Sequence, residues 1–406
     1  MLRCSLVSEL FAYLGRQAIF ASDLTVHAYE LLYRDSFENR ARFSDANQAS
    51  AATMLSAFVE LDLDALIGDK PVFVNLTEDF LLGRHPMPLE PGRVVLEVLE
   101  TVPVTPELLA ALKTFRTRGF QIALDDFELD EKTKPMVELA DVIKLDVLDG
   151  NRERIAAAVH ALRPYGIPLL AEKVSTQDEM TFLRTFDFEF YQGHFLEMPK
   201  IDRARRLPHN RASLVRLLAK LYDPDTNLRE LESLLASDMD LPLRLIKLAG
   251  SAAMSRGAPI GTLGQAIQRI GTQQVAALVV LVMVSGFDDK PRELIRLALV
   301  RAKLCERIAA RTGASPDELF TAGLLSLLDA ILDQPLDEVL RQLPLTPTII
   351  AALGGGNELP ARIVAAARAQ ERCDFAELAA SGVPPAEVQA AWLEAIAWAD
   401  ELVALV

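Results

Sequence analysis

The chain has 406 residues, a formal net charge of -15, half of its residues apolar, 24% charged and 6% aromatic. That length implies two domains, and the apolar content excludes an intrinsically disordered chain. The negative charge opposes direct binding to a nucleic-acid backbone, and basic pairs such as Arg205-Arg206 are too short to form a patch.

Glu9 and Arg16 interrupt the first apolar stretch, which leaves no signal-peptide core. The longest apolar run, Val275 to Val284, is shorter than the roughly 20 residues of a membrane span. Three dispersed cysteines, Cys4, Cys305 and Cys373, fit neither a disulfide framework nor a zinc site. The expectation is a soluble, cytoplasmic protein without membrane contact.

Along the first half, short apolar runs end in polar residues. They are HAYELLY around Glu30, VFVNL to Asn75, VVLEV with Glu97, FQIALDD to Asp125 and Asp126, DVIKLD with Lys144, IPLLAE to Glu172, and FEFYQ to Gln192. Buried parallel strands are almost wholly apolar, so a polar residue at the strand end marks the catalytic face of a β/α barrel. Helical stretches alternate with these runs, for example Pro106 to Thr117 and Arg152 to Leu162, which predicts βαβ units and a parallel sheet.

Beyond Pro208 the strand signals stop. Leu214, Leu217, Leu218 and Leu221 fall on one helical face, and Ser315-Pro316 and Pro384-Pro385 mark helix starts. Gly354-Gly355-Gly356 is expected to be a loop, with no lysine or serine in phosphate-loop spacing. Val275 to Val284 is expected to be core. The fold class is α/β plus all-α: a barrel over residues 1–200, a linker at 201–210 and a helical domain over 211–406.

Glu30, Asn75, Glu97, Asp125 and Asp126 are hard oxygen donors of the kind that hold Mg2+ or Mn2+, and adjacent aspartates can serve two ions. Two ions would clamp a phosphodiester and activate water. Lys144 could stabilise developing charge or the attacking water, Glu172 could take its proton, and Gln192 could orient water or a ligand amide. Each residue alone also fits a helix cap or a solvated loop position. The pair Asp125-Asp126 fits those roles less well, because two adjacent charges at a buried strand end repel one another unless a cation is near.

These runs resemble, in order, the motifs of the EAL domain, a β/α barrel that hydrolyses or binds the bacterial second messenger cyclic di-GMP. Gln17-Ala18-Ile19 is similar to the opening motif and Tyr29 to Arg34 to the signature, followed by VNLTEDFL, LEVLET, ALDDF, IKLD, LLAEKVST and YQGHFLEMP. The resemblance covers about residues 12 to 200. It implies metal ligands at Glu30, Asn75, Glu97, Asp125 and Asp126, catalytic roles for Lys144, Glu172 and Glu100, and ligand contacts from Gln17, Arg34 and Gln192. The chain departs from the family at Leu31, at Glu128 to Lys132 in place of a glycine-rich loop, at Lys173 in place of glycine and at Ser175 in place of glutamate. The glycine-rich loop in the family couples metal and substrate binding to dimerisation, so the departure implies conditional or absent activity and leaves a homodimer open.

From about residue 211 the chain resembles the HDOD domain, a helical relative of HD phosphohydrolases without their metal ligands. Leu243 to Ser251, Ile260 to Gly271 and Ala322 to Leu325 carry this resemblance. All five histidines, the last being His209, precede the region, so no HD-type metal site is available there. The expected protein senses or slowly hydrolyses cyclic di-GMP and relays its state to a protein partner through the helical domain. Two alternatives stay open: a scaffold that binds no nucleotide, and a Mg2+-dependent barrel enzyme using Lys144 as a base for enolate chemistry.

Overall fold

A computed structural model describes residues 13–34, 67–84, 91–148 and 151–195 of the first half. In the second half it describes residues 209–223, 225–227, 230, 235, 241–250, 262–285, 287 and 290–405. Eight strands close into a barrel in sequence order: β1 (Tyr13–Ala21), β2 (Val26–Arg34), β3 (Val72–Leu76), β4 (Val94–Val98), β5 (Gln121–Leu124), β6 (Val142–Asp146), β7 (Leu169–Val174) and β8 (Phe190–Gly193). Strands β2 to β8 fall on the seven runs read from the sequence.

The expectation of a wholly parallel sheet needs correction at β1, which runs antiparallel to both β2 and β8. The turn from β1 to β2 has only Ser22 to Thr25 to work with, and a parallel crossover needs about a dozen residues. Asp23 accepts hydrogen bonds from the Thr25 amide and hydroxyl, closing this tight reversal.

Side chains in a strand alternate with period two, and the barrel uses this to stack two layers. The lower layer is apolar: Ile19, Ala28, Phe73, Val95, Ala123, Val142 and Leu170 form a buried cluster with Phe190 packed against it. Two residues further along β2 to β8 stand Glu30, Asn75, Glu97, Asp125, Lys144, Glu172 and Gln192. On antiparallel β1 the step runs backwards, from Ile19 to Gln17. Each polar residue of the rim therefore sits directly above an apolar plug.

Helices cover the barrel. Of these, α1 (Glu78–Leu81) is a single turn, while α2 (Pro106–Thr117) starts at Thr105, which caps Leu108 N–H, and buries Leu108, Leu112 and Phe115. Short α3 (Lys134–Val137) follows the departed loop, α4 (Arg152–Leu162) is capped by Asn151, and α5 (Gln177–Leu183) by a reciprocal Thr176–Glu179 capping box.

The chain divides by its contacts into two compact units, one of residues 1–195 with 371–376 and one of residues 196–370 with 377–406, and the regular structure described from residue 209 onward is all helical. It comprises α6 (His209–Tyr222), α7 (Leu241–Ala249), α8 (Leu263–Val284), α9 (Arg292–Thr312), α10 (Pro316–Leu325), α11 (Leu328–Leu332), α12 (Leu336–Leu340), α13 (Pro347–Gly354), α14 (Leu359–Glu371), α15 (Phe375–Ala380) and α16 (Pro385–Val403). Leu214, Leu217, Leu218 and Leu221 are buried on α6, and Val275 to Val282 and Val284 are core on α8, which breaks its helical geometry at Gly271. Helix α9 packs against α10 and α16. A Cβ on Gly323 of α10 would stand 2.6 Å from the Arg301 carbonyl oxygen, so glycine sets how closely α9 and α10 cross. Ser315 caps α10 as expected, while Gly354 ends α13 rather than lying in a loop, leaving Gly355 and Gly356 outside the helix. No single helix among the described residues is long and apolar enough to cross a membrane.

Candidate metal and phosphodiester site

The register of the sheet gathers the rim. Gln17 stands opposite Glu30, Ile19 opposite Gln192, Asn75 opposite Glu97 and Asp146 opposite Glu172. At the centre is the Lys144 ammonium, with 1% of its side chain exposed. Its Nζ lies 3.2 Å from Glu30 Oε2, 2.9 Å from Glu97 Oε1, 3.0 Å from Asp125 Oδ1 and 2.7 Å from Glu172 Oε1. Four carboxylates thus face one buried lysine.

Amides complete the cluster on one side. Gln192 Nε2 donates to Glu30 Oε2 at 2.7 Å and to Gln17 Oε1 at 3.0 Å, and Asn75 Nδ2 donates to Glu30 Oε1 at 2.9 Å. Burial acts to raise the Glu30 carboxyl, but Lys144 and the hydrogen bonds from Gln192 and Asn75 outweigh it and hold Glu30 below the ordinary glutamate range.

Glu97 and Glu172 behave oppositely. Burial, with the Glu30 carboxylate adding repulsion, pushes Glu97 well above the ordinary value despite Lys144. Burial pushes Glu172 up to about 8 against the attraction of Lys144, and repulsion from Asp125 and Glu30 adds to the rise. Lys144 itself is raised well above the ordinary lysine value, because attraction from Glu30, Glu97, Glu172 and Asp125 exceeds the effect of its burial. A base for enolate chemistry would need Lys144 neutral, and its four carboxylate partners oppose that.

Negative charge exceeds what one ammonium balances, and several oxygens lack partners. Both carboxylate oxygens of Glu97 are buried without an aligned hydrogen bond, although Oε1 forms the ion pair with Lys144. Asn75 Oδ1, Gln192 Oε1 and Asp126 Oδ1 are likewise buried and unsatisfied. Unmet acceptors are costly unless a cation or donor meets them, so this donor set fits Mg2+ or Mn2+. Asp125, Asp126 and Glu172 each offer an oxygen within 4.8 Å of the others, a grouping able to share one ion.

The expected residues do not all converge. Glu172, expected as a base, also lies among the ligand candidates, while Glu30 and Glu97 are outside that trio and share the Lys144 ammonium with Asp125 and Glu172. Glu100 is exposed on the turn after β4 and is outside the Lys144 cluster, lining an adjoining groove of about 1120 Å3 with Asp125, Asp126, Asp146 and Arg154. Arg34 ends β2, and its side chain lies outside the described residues. Leu31 is buried in β2, 5% exposed, so the larger signature residue is accommodated.

The departed loop is ordered by its own side chains. Asp130 Oδ1 accepts from the Lys132 and Thr133 amides, and Thr133 Oγ1 donates to the Glu128 carbonyl at 2.7 Å. Backbone and hydroxyl donors from Thr133 hold the Asp130 carboxyl below its ordinary range. Glu128 and Glu131 are exposed. Lys173 and Asp146 bring a contact that the strand-end pattern did not single out: Lys173 Nζ lies 2.5 Å from Asp146 Oδ2 and 3.3 Å from Asp126 Oδ2. Their places two residues beyond Lys144 and one beyond Glu172 were the available signal.

Comparison with known proteins gives two family matches, an EAL domain over residues 40–199 and an HDOD domain over residues 207–332. The chain is 29% identical over 353 residues to the uncharacterized protein YuxH of Bacillus subtilis, covering 84% of this chain and 86% of that one. It is 28% identical over 347 residues to the cyclic di-GMP phosphodiesterase CdgJ of Vibrio cholerae, covering 84% and 80%. Among solved structures, a manganese/cy-diGMP complex of Klebsiella pneumoniae BlrP1 matches at 24% identity and a TM-score of 0.37, over 47% of this chain and 56% of that chain. A c-di-GMP complex of the PaMucR phosphodiesterase matches at 21% identity and a TM-score of 0.37, over 50% and 94%.

Proposed function

From a chain that carries an EAL domain followed by an HDOD domain, we propose a cytoplasmic cyclic di-GMP signalling protein whose barrel binds the dinucleotide with divalent metal and hydrolyses it slowly. The observation that carries this reading is the convergence of Glu30, Glu97, Asp125 and Glu172 on Lys144, with buried oxygens of Glu97, Asn75 and Asp126 unmet. The named relative from Vibrio cholerae is a cyclic di-GMP phosphodiesterase, which supports the substrate class.

Glu30, Asn75, Glu97, Asp125 and Asp126 would hold Mg2+ or Mn2+, two ions in the active form. Bound there, the metal supplies Lewis acidity toward the phosphodiester and a more acidic water. Lys144 keeps the carboxylates together and, as a fixed cation, favours the negative charge that grows at phosphorus. Glu172, placed beside Lys144 and within reach of the Asp125–Asp126 oxygens, takes the proton of the attacking water. Gln192 and Asn75 fix the orientation of Glu30, and Gln17 fixes Gln192. Arg34 and Gln17 contact the ligand, and Glu100 assists from the groove side.

The helical domain relays the liganded state to a protein partner. His209, at the first position of α6, is the last histidine of the chain, so this domain lacks the set of histidines that hydrolytic chemistry of the HD type uses. The matched stretches leave residues 200–206 between them, in keeping with a linker near 201–210.

Calorimetry of the full chain with cyclic di-GMP, with and without Mn2+, tests the reading. Heat that requires Mn2+ is expected, with slow release of linear dinucleotide, and both should be lost in Glu30→Ala. No heat under either condition would overturn it in favour of a scaffold that binds no nucleotide.

A further inference from the structure

Lys173 is the only cation among the described residues ion-paired to Asp126, and its placement is unusual. Both Asp126 and Lys173 have left-handed backbones, with φ of 41° and 60°, a region that disfavours side chains other than glycine, asparagine and aspartate. Lys173 Nζ bridges Asp126 Oδ2 and Asp146 Oδ2, while the other Asp146 oxygen accepts from the Leu148 amide at 2.7 Å. Each Asp146 oxygen thus has a partner. Asp126 keeps one free oxygen, Oδ1, which is buried and unsatisfied.

Asp126 thus has two claimants. Its carboxylate belongs to the trio with Asp125 and Glu172 that could share an ion, and half of it is already committed to a tethered ammonium. Asp125, Glu172 and Glu97 each pair with Lys144 through one oxygen, and the second Glu97 oxygen, Oε2, is buried without a partner, which leaves an acceptor for one ion. A second ion at Asp126 would have to displace Lys173 or sit close to its positive charge.

We propose that Lys173 is a tethered competitor for divalent metal at Asp126, so that the barrel takes one ion readily and the second only weakly. This rests on the proposed metal site. The lysine is a positioning and selectivity residue, and because it is partly exposed it can swing away when a dianionic ligand or high metal concentration draws it off Asp126. Repulsion between an ammonium and a dication at a solvent-screened separation weakens the second ion on the order of tenfold.

The test counts bound Mn2+ by electron paramagnetic resonance of the free ion, titrating the full chain without nucleotide. Wild type and Lys173→Arg are expected to bind one ion tightly and a second weakly. Lys173→Met and Lys173→Gly are expected to bind the second roughly tenfold more tightly. Glycine suits the left-handed backbone, so an unaltered or raised melting temperature checks that this variant is folded.

Identical isotherms in all four proteins would overturn the inference. Two equal ions in every protein would leave the proposed function standing, and none in any would remove both. Loss of metal in the methionine and glycine variants would also overturn it, by making Lys173 a support of the site.

Discussion

Replacing Lys144 by methionine keeps most of the volume and removes the charge on which four carboxylates converge. The lysine side chain is 1% exposed and its partners lie between 2.7 and 3.2 Å away. Removing one member of a buried ionic cluster costs about 3–5 kcal/mol, a large part of the roughly 5–15 kcal/mol that stabilises a domain. The loss should depend on pH. Glu172 is pushed up to about 8 and Glu97 well above its ordinary 4.5 even with the lysine present.

A carboxyl whose folded pKa exceeds its unfolded one binds protons on folding. Its contribution is present in full below about 4.5 and is lost as pH rises through the folded value. Metal-free wild type should therefore weaken from about pH 5 to about pH 8, and Lys144→Met should weaken more steeply because its carboxylates have lost their counter-charge. Urea denaturation of the full chain, followed by hydrogen exchange in β4 to β6, measures this. Both tryptophans, Trp392 and Trp398, lie on α16 of the helical unit, so their fluorescence serves as an internal control. Equal barrel stability of variant and wild type near pH 8, or a gap that widens on acidification, would refute the reasoning.

Glu97→Gln replaces a carboxyl that is 0% exposed and lacks an aligned donor; metal-free stability at alkaline pH, once that carboxyl ionises, should rise by roughly 1–3 kcal/mol while Mn2+ affinity falls on the order of tenfold, both read by denaturation and titration. Gly193→Ala would place a Cβ 2.0 Å from the Val174 carbonyl oxygen at a φ of 147°, forcing β8 from β7. A loss of about 1–3 kcal/mol in barrel stability is expected, with weaker Mn2+ binding as Gln192 shifts, and an unchanged melting temperature would contradict the close pairing. Gly323→Ala meets the α9 backbone at 2.6 Å and should lower the tryptophan-monitored transition by about 1–3 kcal/mol while leaving barrel exchange unchanged.

Much of the site was legible because strand periodicity and chemistry agree. Seven polar residues, from Glu30 to Gln192, stand at the ends of apolar runs and each follows an inward-facing apolar residue by two positions. The helix start at Ser315 was marked by a cap residue whose hydrogen bond is local, and Thr105 and Asn151 cap the stretches from Pro106 and Arg152 in the same way. Gly354 was less legible, since a glycine can end a helix or begin a loop, and the choice belongs to the packing of α13. Lys173 lay in plain view as a departure from the family, but its partners Asp126 and Asp146 sit on two other strands.

The sequence by itself determined that this chain makes a barrel followed by helices, and which side chains crown the strands, because alternation and capping act between residues a few positions apart. Only the tertiary structure decided that β1 reverses direction, that Lys144 stands among four carboxylates as a cation, that Asp125, Asp126 and Glu172 group together while Glu100 stays outside, and that Lys173 holds Asp126. Those outcomes depend on closure of the barrel, which sets register across strands far apart in the chain and removes water from the charges it brings together.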